Sequence, residues 1–228
     1  MSTLLVPYYE HPSVRPAEWE AIVEAAPRLY GVVLNPASGP GDRPDPAFAE
    51  IAERLRERDV RVLGYTDTDY GRRPRTEVVR DLARYRDWYG VDGAFFDQVA
   101  SGLGDFGHYQ RLASSAWGAG CTTITLNHGA PPHPAYARLA DVLVTFEGTW
   151  ETYRGLRPAP FTAGRTRQCH LVHGVPPGAP VSDLARARGA TVHCAVPGSE
   201  SRSAPVSASG VAARPRYASV SRAVSTDA

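Results

Sequence analysis

The chain contains no lysine, so its 25 basic side chains are all arginine. Against 24 acids they leave a net charge of +1, which is no electrostatic footprint for nucleic acid or an anionic membrane surface. The arginines reflect coding composition rather than 25 selected guanidinium contacts. Cysteine is scarce as well. Cys121, Cys169 and Cys194 are too few and too scattered for a disulfide framework, and their spacing matches no zinc motif. No apolar run reaches membrane-spanning length. The first strand-like run begins near Thr3, which leaves no room for the charged and apolar regions of a signal peptide. These absences lead us to expect a soluble, cytoplasmic monomer that uses no metal and no other cofactor.

What is present is alternation. The 228 residues can bury a sizeable core, and they read as strand then helix, over and over. Apolar runs at Leu4–Tyr9, Tyr30–Leu34, Val60–Tyr65, Val91–Phe96, Thr122–Leu126, Val142–Phe146, Gln168–Val172 and Thr191–Val196 predict strands. Between them lie stripes at helical spacing, such as Trp19, Ile22, Val23 and Ala26, or Phe48, Ile51, Ala52 and Leu55 behind the Asp45-Pro46 cap. Apolar strands alternating with helices predict a parallel sheet, and eight such units predict a single-domain (β/α)₈ TIM barrel over residues 3–197. The competing doubly wound sheet would carry a glycine-rich phosphate turn after its first strand, and Pro7-Tyr8-Tyr9-Glu10 is unlike one. Residues 198–228 are rich in Ser, Ala and Arg without periodicity. They read either as a poorly ordered tail or as an incomplete last helix.

The chemistry lies at the strand ends. Val91-Asp92-Gly93-Ala94-Phe95-Phe96-Asp97-Gln98 is a buried strand ending in an acid and an amide, which folding does not require and burial penalises. Glu10 and His11, Asn35, Asp67 and Asp69, Asn127 and His128, Glu147 and His173 end the other strands. In a barrel all would gather at the carboxyl-terminal mouth. Tyr8, Tyr9, Tyr65, Tyr70 and Trp150 lie beside them, and aromatic faces among carboxylates and amides suit a sugar ring. Two opposed carboxylates are the usual equipment of a glycosidase, which makes Asp97 and Glu147 the catalytic candidates. Tyr8 and Tyr65 are expected to line the cleft. Metal, cysteine-nucleophile and Ser-His-Asp readings are weaker. The histidines show no paired helical spacing, the cysteines read as buried apolar residues, and no nucleophile-elbow sequence is present.

Val6-Pro7-Tyr8-Tyr9, Asn35-Pro36-Ala37-Ser38-Gly39-Pro40-Gly41, Gly64-Tyr65, Tyr70-Gly71, Gly93-Ala94-Phe95-Phe96-Asp97, Leu126-Asn127-His128-Gly129 and Thr145-Phe146-Glu147 together resemble the successive motifs of the spherulin 4 family. That resemblance implies a TIM-barrel glycoside hydrolase cutting α-1,4-linked N-acetylgalactosamine in exopolysaccharide, and a secreted or cell-surface setting. It implies Asp97, Gln98 and Glu147 as the catalytic positions, with Tyr8, Tyr9, Asn35, Tyr65, Asp67, Tyr70, Asn127, His128 and Trp150 on the substrate. The family usually carries Asp-Glu where this chain has Asp97-Gln98. Gln98 can give no proton, so the alternative is a carbohydrate-binding barrel that has lost catalysis.

Overall fold

The computed structural model describes residues 3–157, 161 and 164–197. Eight strands close into one barrel in chain order: β1 (Thr3–Tyr8), β2 (Leu29–Leu34), β3 (Arg61–Asp67), β4 (Gly93–Asp97), β5 (Thr123–Asn127), β6 (Val142–Thr149), β7 (Arg167–Val175) and β8 (Val192–Pro197). Neighbouring strands run parallel throughout, and β1 closes on β8. Helices α1 (Pro16–Glu24), α2 (Pro46–Arg56), α3 (Arg75–Tyr89), α4 (Phe106–Gly118), α5 (Trp150–Arg154) and α6 (Val181–Ala187) cover the outside. After β5 the chain makes a 3₁₀ turn, Pro134–Arg138, where a short α-helix is expected from Tyr136 to Leu139. The expected tail lies outside the described residues. Among the described residues, no helix is long and apolar enough to cross a membrane.

Strand alternation decides which side chains meet in the middle. Leu5, Val33, Leu63, Phe95, Val144, Cys169, Leu171 and Cys194 fill the barrel interior, while their neighbours face the helices. Carried to the strand ends, the same alternation turns Tyr9, Tyr65, Asp97 and Asn127 inward. β6 is the exception, because its register against β7 slips between Val144 and Phe146. Val142 and Val144 point in, and strict alternation would put Phe146 in with them and Glu147 out. The bulge reverses this. Phe146 packs outside with Tyr153, and Glu147 enters the mouth.

The helices are seated by contacts that leave little slack. Asp45 caps α2 by accepting from the Ala47 amide at 3.0 Å, behind Pro46 at the first helical position. Its other oxygen lies 2.9 Å from His11 Nε2, which ties the loop after β1 to α2. Gly64 has no side chain because the Tyr85 ring of α3 occupies the space, and a Cβ there would lie 2.5 Å from it. Tyr85 then donates its hydroxyl to the Leu34 carbonyl at 3.1 Å.

Candidate active site

At the carboxyl-terminal mouth one amide joins two carboxylates. Asn127 Nδ2 donates to Asp97 Oδ1 at 2.8 Å and to Glu147 Oε2 at 2.6 Å. Asn127 Oδ1 accepts from the Gly129 backbone at 3.1 Å, which fixes which end of the amide faces the acids. Sharing one nitrogen keeps these two carboxylate oxygens no more than about 5.4 Å apart. On the other side of Asp97, the Tyr65 hydroxyl donates to Oδ2 at 2.8 Å. Tyr9 stands edge-on to Tyr65 with ring centroids 5.6 Å apart.

Burial, followed by the nearby charge of Glu147, raises the Asp97 carboxyl to about 6, although the Tyr65, Gln98 and Asn127 donors pull the other way. Burial also pushes the Tyr9 phenol well above its ordinary value, and Asp97, Tyr65 and Glu147 add to the effect. Tyr9 therefore stays protonated beside the acids.

A second carboxylate–amide couple flanks the first. Gln98 donates from Nε2 to Asp67 Oδ2 at 3.3 Å, so its side chain reaches across to β3. The backbone here is strained. Gln98 has φ +52°, and the facing residues Asp69 and Tyr70 have +45° and +51°, a region that side-chain-bearing residues rarely adopt. Hydrogen bonds hold it in place: Tyr70 N–H to the Gln98 carbonyl at 2.8 Å, and Thr68 Oγ1 to the carbonyls of both Asp97 and Gln98 at 2.9 Å. Tyr70 is left 52% exposed on this loop, with the Arg72 guanidinium 5.6 Å from its ring centroid.

Four other expected site residues have different surroundings. Tyr8 points outward, buried against Trp19 with centroids 5.0 Å apart, because it shares the outward parity of Leu4 and Val6 on β1. The expectation that Tyr8 lines the cleft is corrected accordingly. His128, one residue past inward Asn127, likewise turns outward onto Tyr136 at 4.8 Å. Its ring nitrogens are buried, and burial depresses its pKa to about 4, although the backbone at Val99 and Ala100 pulls the other way. Asn35 closes its own loop by accepting from Gly39 N–H at 2.7 Å. Trp150 opens α5 and packs with Tyr153 on the Phe146 cluster.

Sequence reasoning missed the supports. Arg73 donates to the Asp67 carbonyl at 3.0 Å and pairs with buried Asp81 at 2.5 Å, anchoring the end of β3 from α3. A signal for it existed, since Asp81 falls on the buried stripe of α3 between Val78 and Tyr85. Thr68 and Tyr109, 3.0 Å apart, hold the end of β4 with no comparable sequence signal.

The barrel and its mouth define a TIM-barrel protein with an amide-bridged carboxylate pair at the carboxyl-terminal ends of its strands. The chain belongs to spherulation-specific family 4, whose model matches residues 3–221 and so runs past the composition change at residue 197. It is 29% identical over 149 residues to Spherulin-4 of Physarum polycephalum, covering 63% of this chain and 44% of that protein. The chain thus matches less than half the length of this relative. The crystal structure of Aspergillus clavatus Sph3 in complex with GalNAc is similar at a TM-score of 0.71 and 26% identity, over 86% of this chain and 88% of that one. The glycoside hydrolase domain of PelA from Pseudomonas aeruginosa shares the fold at a TM-score of 0.51 and 16% identity, over 86% and 94%.

Proposed function

We propose that this protein is a retaining glycoside hydrolase acting on a polysaccharide that contains galactosamine or N-acetylgalactosamine. The Asp97–Asn127–Glu147 bridge carries the reading, because a shared donor keeps two carboxylates closer together at the mouth of the barrel than the roughly 6.5–9.5 Å of inverting enzymes. The GalNAc in the Sph3 complex supports the sugar class.

Asp97, raised to about 6, is the group that brings a proton toward neutral pH. In the first step a Glu147 oxygen attacks the anomeric carbon, the glycosidic C–O bond breaks, and the leaving oxygen takes the Asp97 proton. In the second step water attacks the same carbon, ionised Asp97 accepts the water proton, and the bond to Glu147 breaks. Tyr65 can serve both states of Asp97, since its hydroxyl donates to the carboxylate and accepts from the acid. Tyr9 and Tyr65 offer ring edges to the sugar, and exposed Tyr70 offers a platform at the rim.

Gln98 favours a second reading. A Glu there would add a third acid, and without it the barrel is a carbohydrate-binding protein that does not turn over. The test measures reducing ends released from α-1,4-linked galactosamine polymer and its N-acetylated form. We expect wild type to cleave one of them, with Asp97→Asn and Glu147→Gln each about 10³-fold slower. Inert wild type that is rescued by Gln98→Glu would assign the proton to position 98. Inactivity of all variants with sugar still bound would establish the binding protein.

A further inference from the structure

The substrate-binding role expected of Asn127 conflicts with where its amide hydrogens go. Both face carboxylates, one on Asp97 and one on Glu147, and its oxygen is occupied by Gly129 N–H. We propose that Asn127 is a positioning residue, which spaces the two acids and sets the pH range in which one is protonated while the other is ionised. This rests on the hydrolase reading of that pair.

Two like charges sharing one donor in a partly buried mouth repel, and the simplest relief is to bind a proton. An N–H donated to each carboxylate favours its ionised form, so the amide lets the pair shed its first proton at a lower pH than it otherwise would. Among the described residues, other titratable groups lie beside the pair. They include Tyr9 just past β1, Tyr65 from β3, Cys169 from β7, and Asp67, which pairs with Asp97 across the strands and accepts from Gln98. The amide orientation is not free to change either. Were Asn127 flipped, its oxygen would face two carboxylates and its NH₂ would face a backbone donor.

Asn127→Asp tests this with minimal change of shape. Its carboxylate keeps an acceptor for Gly129 N–H and loses both bridging hydrogens. We expect the pH profile of kcat/KM to move upward by about one unit or more at both limbs, with kcat at the wild-type optimum falling 10-fold or more and KM nearly unchanged. Asn127→Leu, which adds no charge, should move the limbs the same way by less. Loss of activity with the limbs in place would make Asn127 merely structural. A rise in KM alone would return it to substrate binding. Carboxyl ¹³C titration by NMR of wild type and both variants reads the Asp97 pKa without any turnover. An upward shift there supports the proposal even if wild type proves inert, and an unmoved Asp97 overturns it. Inert wild type counts against the hydrolase reading alone.

Discussion

At the residue scale, neighbours in sequence do unlike work, and Tyr8 and Tyr9 show it most plainly. Tyr8 is sealed beneath Trp19 outside the barrel, while Tyr9 meets Tyr65 at the mouth. The two positions therefore fail differently when truncated. Tyr8→Ala should lower folding stability by about 3 kcal/mol or more and leave oligosaccharide affinity as it was. Tyr65→Ala should weaken binding and remove the hydroxyl on Asp97. Denaturant melts paired with titration of oligosaccharide would separate the two, and a loss of affinity in Tyr8→Ala would contradict the outward placement. Strand parity alone could have chosen between Tyr8 and Tyr9, and between Asn127 and His128, once one inward residue was known. Glu147 was beyond that rule, because the bulge in β6 leaves no mark in Val142-Leu143-Val144-Thr145-Phe146-Glu147 and is visible only in the pairing with β7.

At the element scale, the helix caps and apolar stripes were legible because they are local. Asp45-Pro46 reads as a helix start in sequence, and it is one. What the sequence hides is the second bond of the same side chain, from Asp45 to His11, 34 residues away. Arg73 and Asp81 are similar: both lie near or on α3, but their effect falls on the end of β3. Long-range polar contacts of this kind have no periodicity to betray them. Asp45→Ala should cost about 0.5–2 kcal/mol for the lost cap. Asp45→Asn, which can still accept from the Ala47 amide, should cost less. A denaturation midpoint for Asp45→Asn as low as that of Asp45→Ala would show that the His11 contact, not the cap, holds this corner.

At the scale of the whole molecule, stability against acid is set by buried groups that titrate in opposite directions. His170, 4% exposed on the outer face of β7, is hydrogen-bonded at 2.9 Å through Nδ1 to the Tyr153 hydroxyl. Burial, and then Arg188 and His193, lowers its pKa to about 4. The unfolded chain takes up this proton near pH 6.5 and the folded chain refuses it until about 4, so stability falls as pH drops through that window. Summed over the shift, the loss reaches about 3 kcal/mol at most. Asp97 works the other way. Raised to about 6, it binds a proton in the folded state before the unfolded chain does, and it returns stability as pH falls from about 6 toward 4. Unfolding of wild type, His170→Gln and Asp97→Asn at pH 8, 6.5 and 4.5 resolves the two contributions. His170→Gln should show a shallower fall on acidification than wild type. Asp97→Asn should match or exceed wild-type stability at pH 8, where it removes a buried charge, and lose that advantage by pH 4.5. If Asp97→Asn instead follows wild type at every pH, Asp97 is not the acid that binds a proton near 6. The assignment of the catalytic proton to it then fails along with the stability argument.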